Sequence, residues 1–315
     1  FLVFRGKRAW KNSSVYAPAR IPRLCASVRR GSCERLRRIC DSVSALELLT
    51  EGWGLIEAPR VDEEDRLYFS DVPNGGVYRR APDGEIETII PKRRGVGGMV
   101  FHRDGGLVVG GRNIQHVRDG EIRVLFDPGF PGFNDLHTDS LGRIYVGSLK
   151  IDPFEEGAEN PGGELWRLGP DGDATELYDG VLLTNGIGFS PDGSLLYHAD
   201  SVPGRVWVSD VDGDIVSNKR VFVEDRVNAT DGLAVDVEGG IWVAQPSGGK
   251  VQRYAPDGTE DMHVAIPDPM VTSVCFGGAD LKDLYVVTGG ETSRGGCVYR
   301  TTVDVSGLPV PQATI

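Results

Sequence analysis

No stretch of the 315 residues repeats its apolar positions at the 3.6-residue period of an amphipathic helix. A helical bundle or an alternating α/β fold is therefore excluded. Cysteine is scarce. Three of the five (Cys25, Cys33, Cys40) stand at spacings of 8 and 7, which match no common zinc pattern, and Cys275 and Cys297 remain. So few argue against a disulfide framework and make a cytoplasmic setting the default. The histidines, His102, His116, His137, His198 and His263, are not at metal-ligand spacing, and His198 within LLYHADS reads as strand packing. No Gly-x-Ser-x-Gly elbow offers a serine nucleophile. The glycine runs at 95–98 and 289–296 lack the strand-loop-helix setting of a phosphate loop and read as loops.

Basic charge is missing from most of the chain. Residues 1–42 hold 11 Lys or Arg and two acids, for a charge of +9, whereas the remainder holds 23 basic and 44 acidic residues, for −21. So acidic a body disfavours nucleic acid and anionic membrane as partners. The basic leader, residues 1–43, has neither strand pattern nor the apolar run of a secretory signal or a transmembrane helix. It reads as disordered or as non-native to the body, in preference to a targeting segment. Residues 44–315 read as one domain, a length that suffices for a single large fold.

What is present is a repeat. The anchors Tyr68, Val108, Tyr145, Tyr197, Trp242 and Tyr285 recur in DRLYFSD, GGLVVGG, GRIYVGS, GSLLYHA, GGIWVAQ and KDLYVVT, at gaps of 40, 37, 52, 45 and 43 residues. That is the period of a four-stranded propeller blade. Short alternating strands ending in Asp-Gly turns lie between them, as in GVYRRAPDGEI and RVWVSDVDGDI. The fold predicted is an all-β, six-bladed β-propeller. A β-sandwich has similar turns but does not repeat a whole unit six times. Residues 44–50 are expected to close the ring by pairing with the last blade.

The repeat also aligns polar residues. Glu57, Asn134, Asn185 and Asp231 lie 11, 11, 12 and 11 positions before Tyr68, Tyr145, Tyr197 and Trp242. Equivalent positions of successive blades converge on the channel axis, so the four side chains are expected to face one another across it. Singly, Asn185-Gly186 and Asp231-Gly232 read as turns whose side chains bond their own backbone. As four acceptors crowding one channel they call for a cation, because unpaired buried carboxylates are costly. Two carboxylates and two amide carbonyls give hard oxygen ligands with a charge of −2. That donor set suits one divalent cation, Ca²⁺ first, with Mg²⁺, Mn²⁺ or Zn²⁺ as alternatives, and water completing the shell. The equivalent positions near Gly97 and Ser273 are small, which is expected to leave room for a substrate beside the ion.

The stretches IEAP at 56–59, FND at 133–135, TNGIGFSPDG at 184–193, ADS at 199–201, TDGLAVDVEGGIWVA at 230–244 and VTSVCFGG at 271–278 resemble those of the senescence marker protein 30, gluconolactonase and luciferin-regenerating enzyme family of six-bladed propellers. The similarity runs from about Leu55 to Tyr299. It implies that Glu57, Asn134, Asn185 and Asp231 bind one divalent cation, that Asp231 is also the base or nucleophile, and that Asn134 touches substrate. Two departures bear on the substrate and leave the metal ligands in place. Gly132 stands where sugar-lactone members carry Arg, and the Glu motif reads Glu-Ala-Pro-Arg-Val at 57–61 instead of a Glu-Gly-Pro-Val-Trp type.

The function expected is a metal-dependent hydrolase opening a small, sugar-like lactone, in which Asp231 accepts a proton from the attacking water. Asp200 is the next candidate base. The rivals are phosphotriester hydrolysis at the same site and a non-catalytic propeller whose cation ties the blades together while its loops bind a partner. The partner expected is a small molecule, and the protein a monomer or weak homo-oligomer. Deleting residues 1–42 is expected to leave the melting temperature and cation affinity nearly unchanged; a large drop on truncation would mean that this segment supplies a blade strand.

Overall fold

Asp-Gly turns and short alternating runs fold here as antiparallel hairpins, three in succession in five blades and two in the sixth, and each blade is a four-stranded sheet. The structure, a computed structural model, describes residues 44–151, 159–290 and 292–315, and the expectations for residues 1–43 lie outside the described residues. Six sheets form a β-propeller. In the first blade the strands are Ile56–Val61, Leu67–Asp71, Gly76–Arg80 and Ile86–Pro91. The inner strands of the second to sixth blades are Met99–Phe101, Gly132–Thr138, Thr184–Phe189, Leu233–Val235 and Val271–Gly277. The sixth blade draws its outer strand from the other end of the chain. Glu47–Trp53 pairs antiparallel with Gly296–Thr302, Leu48 opposite Tyr299 and Trp53 opposite Gly296. No helix among the described residues is long and apolar enough to cross a membrane.

All six anchors are buried. They belong to second strands and pack forward onto the next blade's inner strand. Tyr68 meets Phe101 edge-on at 5.1 Å, Tyr145 meets Phe189 at 4.9 Å, and Trp242 meets Phe276 at 5.8 Å. Each such pair adds about 0.5–1.5 kcal/mol beyond the area it buries. The aromatic recurrence in the sequence is thus the signature of blade-to-blade adhesion.

The first hairpin turn of alternate blades is tied by an aspartate. Oδ1 of Asp62, Asp139 and Asp236 accepts the amide four residues ahead, from Arg66 at 2.9 Å, Arg143 at 3.0 Å and Gly240 at 2.8 Å. In the fifth blade Oδ2 of Asp236 also accepts from Trp242 Nε1 at 2.8 Å and from Arg253 Nε at 2.7 Å. Turn, anchor and third strand are joined through one buried carboxylate.

Four of the six inner strands are bulged near their first residues. The irregularities fall between Glu57 and Arg60, Phe133 and Leu136, Thr184 and Ile187, and Val271 and Ser273. In the first blade Ala58 takes a left-handed φ of 55°, a conformation that an L-residue holds only where its surroundings enforce it.

After the last blade the chain crosses the opposite end of the channel. Leu308 N donates to Val235 O of the fifth blade at 2.9 Å, Pro311 O accepts from Thr138 Oγ1 of the third, and Ala313 N donates to Phe101 O of the second at 2.8 Å. A cavity of about 1770 Å³ opens at this end, lined by Arg60, His137, Phe189, Cys275 and Leu308 among others.

Replacing Asp236 by Ala strands Trp242 Nε1, the Gly240 amide and the buried Arg253 guanidinium together. The expected loss is about 3–5 kcal/mol of unfolding free energy in urea titration. A loss under about 1 kcal/mol would show that the remaining partners of Arg253 suffice.

Candidate active site

A bulge places two consecutive residues against one partner and re-aims a side chain. The bulges of the first, third and fourth blades occur at Glu57, Asn134 and Asn185, the positions at which the sequence aligns its acceptors. Asp231 stands two residues before its short inner strand, held by its amide to Ala244 O at 3.0 Å.

At this level the blades are joined in a circle of hydrogen bonds. Asn134 Nδ2 donates to Thr184 O at 2.7 Å, Gly186 N to Asp231 O at 3.2 Å, and Gly232 N to Thr272 O at 2.8 Å. Thr272 Oγ1 donates to Ile56 O at 2.6 Å, Ser70 Oγ to Val96 O at 2.6 Å, and Phe133 N to Gly111 O at 2.7 Å. Glycine permits the approach. A Cβ at Gly97 would stand 1.8 Å from Asn134 Oδ1, one at Gly98 2.3 Å from Leu136 N, and one at Gly232 2.1 Å from Ser273 Oγ. The smallness of Gly97 therefore serves contact between blades: Asn134 takes the room that the sequence suggested for a substrate there, and Ser273 itself fills the space at Gly232.

Asn134 and Asn185 meet directly, Nδ2 of the first donating to Oδ1 of the second at 2.8 Å, while Asn185 Nδ2 donates to Ser201 Oγ at 2.7 Å. Glu57 and Asp231 are buried. Burial first, and then the charges of Asp231 and Asp135, push the Glu57 carboxyl well above the usual range; burial and the charge of Asp135 do the same to Asp231. Asp231 Oδ1 has no hydrogen-bond partner among the described residues. Orphaned buried carboxylate oxygen beside a second buried carboxylate and two amides is a donor set that fits a divalent cation.

Two residues at this centre were missed by sequence reasoning. Asp135 is buried, and desolvation raises its carboxyl to about 6 against the lowering effects of Arg60 and the Leu136 amide. Arg60 reaches across from the first blade to Leu136 O of the third at 3.3 Å. The large cavity lies beyond Arg60, and none of Glu57, Asn134, Asn185 or Asp231 lines it.

Behind the amides lies a buried support. His198 stands between Thr184 Oγ1 at 2.6 Å and Tyr178 OH at 2.9 Å, and burial lowers its pKa to about 3. Its place in the strand is as the sequence suggested, and it also fixes the residue that precedes Asn185. Asp200 accepts from Leu183 N at 3.0 Å and Trp207 Nε1 at 3.4 Å. It holds the connection into the fourth blade.

Comparison with known proteins bears on this arrangement. The sequence profile of the SMP-30/Gluconolactonase/LRE-like region matches residues 55–290. The chain belongs to this family. A pentonolactonase of Haloferax volcanii is 32% identical over 78% of this chain and 90% of its own, and a 6-deoxy-6-sulfogluconolactonase of Pseudomonas putida is 31% identical over 79% and 90%. Among solved structures, a luciferin-regenerating enzyme superposes with a TM-score of 0.78 at 26% identity, covering 86% of this chain and 99% of that one. Within the SMP-30/gluconolactonase family the two departures of this sequence now have places. A Cβ at Gly132 would meet nothing nearer than 3.4 Å, so packing does not impose glycine there. The arginine of the altered Glu motif is the residue that spans the channel.

An acid whose folded-state pKa lies above its unfolded value supports folding at low pH and weakens it as pH rises between the two. Cation-free protein is therefore expected to lose stability as pH climbs from the ordinary carboxylate range, about 4, through about 6, where Asp135 titrates, and further for Glu57 and Asp231. The gain in melting temperature on adding Ca²⁺ is expected to grow over that window. A gain independent of pH would mean that these carboxylates do not take the ion.

Proposed function

We propose that the protein is a divalent-cation-dependent lactonase that opens a small lactone, with Asp231 as its general base. One observation supports this reading above others: Asp231 Oδ1 is buried beside Glu57 with no hydrogen-bond partner among the described residues. The chain belongs to a family in which relatives 31–32% identical to it bear lactonase names. A divalent cation held by Glu57, Asn134, Asn185 and Asp231, Ca²⁺ being best suited to all-oxygen donors, would polarise the lactone carbonyl and favour negative charge on its oxygen.

The remaining steps belong to the side chains. Asp231, in a dry site that raises its proton affinity, removes a proton from water as the water oxygen bonds to the carbonyl carbon. The ring C–O bond then breaks. The proton passes from Asp231 to the departing ring oxygen, which regenerates the base and leaves a hydroxy acid. Asn134, its amide nitrogen committed to Thr184 O and Asn185 Oδ1, keeps its oxygen for the cation and the substrate. Position 132 offers no side chain to a sugar hydroxyl, so substrates are selected by other contacts.

Asp231→Asn preserves an oxygen of similar shape but removes the proton acceptor. Lactone hydrolysis, followed across a lactone panel, is expected to fall by ~10²–10⁴-fold and to stay low at saturating cation. Asn185→Ala is expected to weaken cation binding and to recover part of its activity as cation is raised. Full rescue of Asp231→Asn by cation would reduce Asp231 to a ligand.

A further inference from the structure

The cavity at the far end of the channel from Glu57 and Asp231 has no part in the reaction proposed above. Its volume of about 1770 Å³ exceeds the ~300–1,000 Å³ of an ordinary small-molecule site. Part of its wall is apolar. Phe189, Leu233, Val235 and Phe276 come from the inner strands of the fourth, fifth and sixth blades, and Leu308 and Val310 from the segment that crosses the opening.

Arg60 lines the same cavity. The arginines nearer the mouth are paired, Arg66 with Asp62 at 2.7 Å and Arg143 with Asp139 at 2.6 Å. Arg60 is only 8% exposed and forms no ion pair among the described residues. Nη1 donates to Pro59 O at 2.8 Å and Nη2 to Leu136 O at 3.3 Å, while Nε is buried with no hydrogen-bond partner among the described residues. Two bonds to neutral carbonyls leave the rest of a five-donor fork without an acceptor. Asp135 feels the charge of Arg60 but neither pairs with it nor lines the cavity. His137 and the Cys275 thiol, which share the wall, are kept uncharged by burial. A guanidinium desolvated for packing alone is costly, and an apolar side chain would fill the same space without that cost.

We propose that the lower cavity is a second binding site, one that takes an apolar monocarboxylate, its head on the Arg60 guanidinium and its hydrocarbon body against the walls of the fourth to sixth blades. The match is one of charge and surface. One buried cation calls for one negative charge, and a planar donor fork suits a carboxylate in particular. Glu63, Asp119, Asp192 and Asp212, exposed in the turns around the mouth, repel a polyanion more than a single charge. The site needs no metal ion, since none of Glu57, Asn134, Asn185 or Asp231 lines it.

Calorimetry of octanoate and of 1-octanol on the full-length protein, with Ca²⁺ present and with it removed, tests this. Octanoate is expected to fill a single site, to bind roughly tenfold or more tighter than octanol, and to do so equally well in both conditions. In Arg60→Met octanoate binding is expected to weaken by roughly tenfold or more while octanol binding holds; Arg60→Gln takes its place if that variant does not fold. Ala234→Phe, which narrows the wall of the fifth blade, is expected to weaken both ligands together. Octanoate that binds no tighter than octanol, or not at all, overturns the proposal. Binding that is lost with Ca²⁺ also overturns it, because the carboxylate would then sit on an ion, and the cation site would stand. Equal weakening of both ligands in the Arg60 variant reduces that residue to shaping the cavity and overturns its role. Unchanged binding in Ala234→Phe puts the ligand elsewhere and overturns the site.

Discussion

Carboxylates crowded together out of water repel one another, and the centre of this propeller is organised around that repulsion. Glu57, Asp135 and Asp231 each raise the proton affinity of another or have their own raised by burial. Holding such groups in place costs several kcal/mol per uncompensated charge. The backbone beneath them must therefore be fixed by something stronger than the side chains themselves. The circle of inter-blade hydrogen bonds does this at the level of the acids, and the anchors Tyr68, Tyr145 and Trp242 do it further out by clamping each sheet to its successor. A rigid periphery lets an unfavourable centre persist, as at other sites where local strain accompanies function.

The six blades and the four aligned acceptors were legible in the sequence because both are periodic. An anchor such as Trp242 must recur, since every blade buries the same face against the same kind of neighbour. Asp135 and Arg60 were not legible, and strand geometry says why. In a regular strand side chains alternate between faces, so Asp135 would point away from the side of Asn134, and Arg60, three residues after Glu57, away from the side of Glu57. The bulges between Glu57 and Arg60 and between Phe133 and Leu136 each insert one residue and reverse that parity. Nothing local announces such an insertion. The left-handed φ of Ala58 is a product of the fold and not a preference of alanine.

Size was misleading for a related reason. Gly97 looks like vacated volume when the blades are aligned as text, and Gly98, Gly186 and Gly232 share its fate. In the assembled ring they are where one inner strand touches the next, and the absent Cβ is replaced by a neighbour's amide, carbonyl or hydroxyl. The second layer had no signature either. Tyr178, His198 and Thr184 form one chain of hydrogen bonds behind the two asparagines, yet it joins the outer strand of the third blade to the first two strands of the fourth, a contact between sheets that no repeat spacing announces.

The segment from Leu308 to Ala313 gives the ring a property that its repeats lack. Repeated units that touch only their neighbours respond to stress one interface at a time. A closed ring of this kind can still be squeezed from a circle into an ellipse, with every joint turning slightly. By fastening the fifth blade to the second and third across the open end, the segment acts as a chord through a wheel. Flattening the circle along that chord would tear its bonds, so the diameter of the axle hole, and with it the spacing of oxygens drawn from four separate blades, is braced from below.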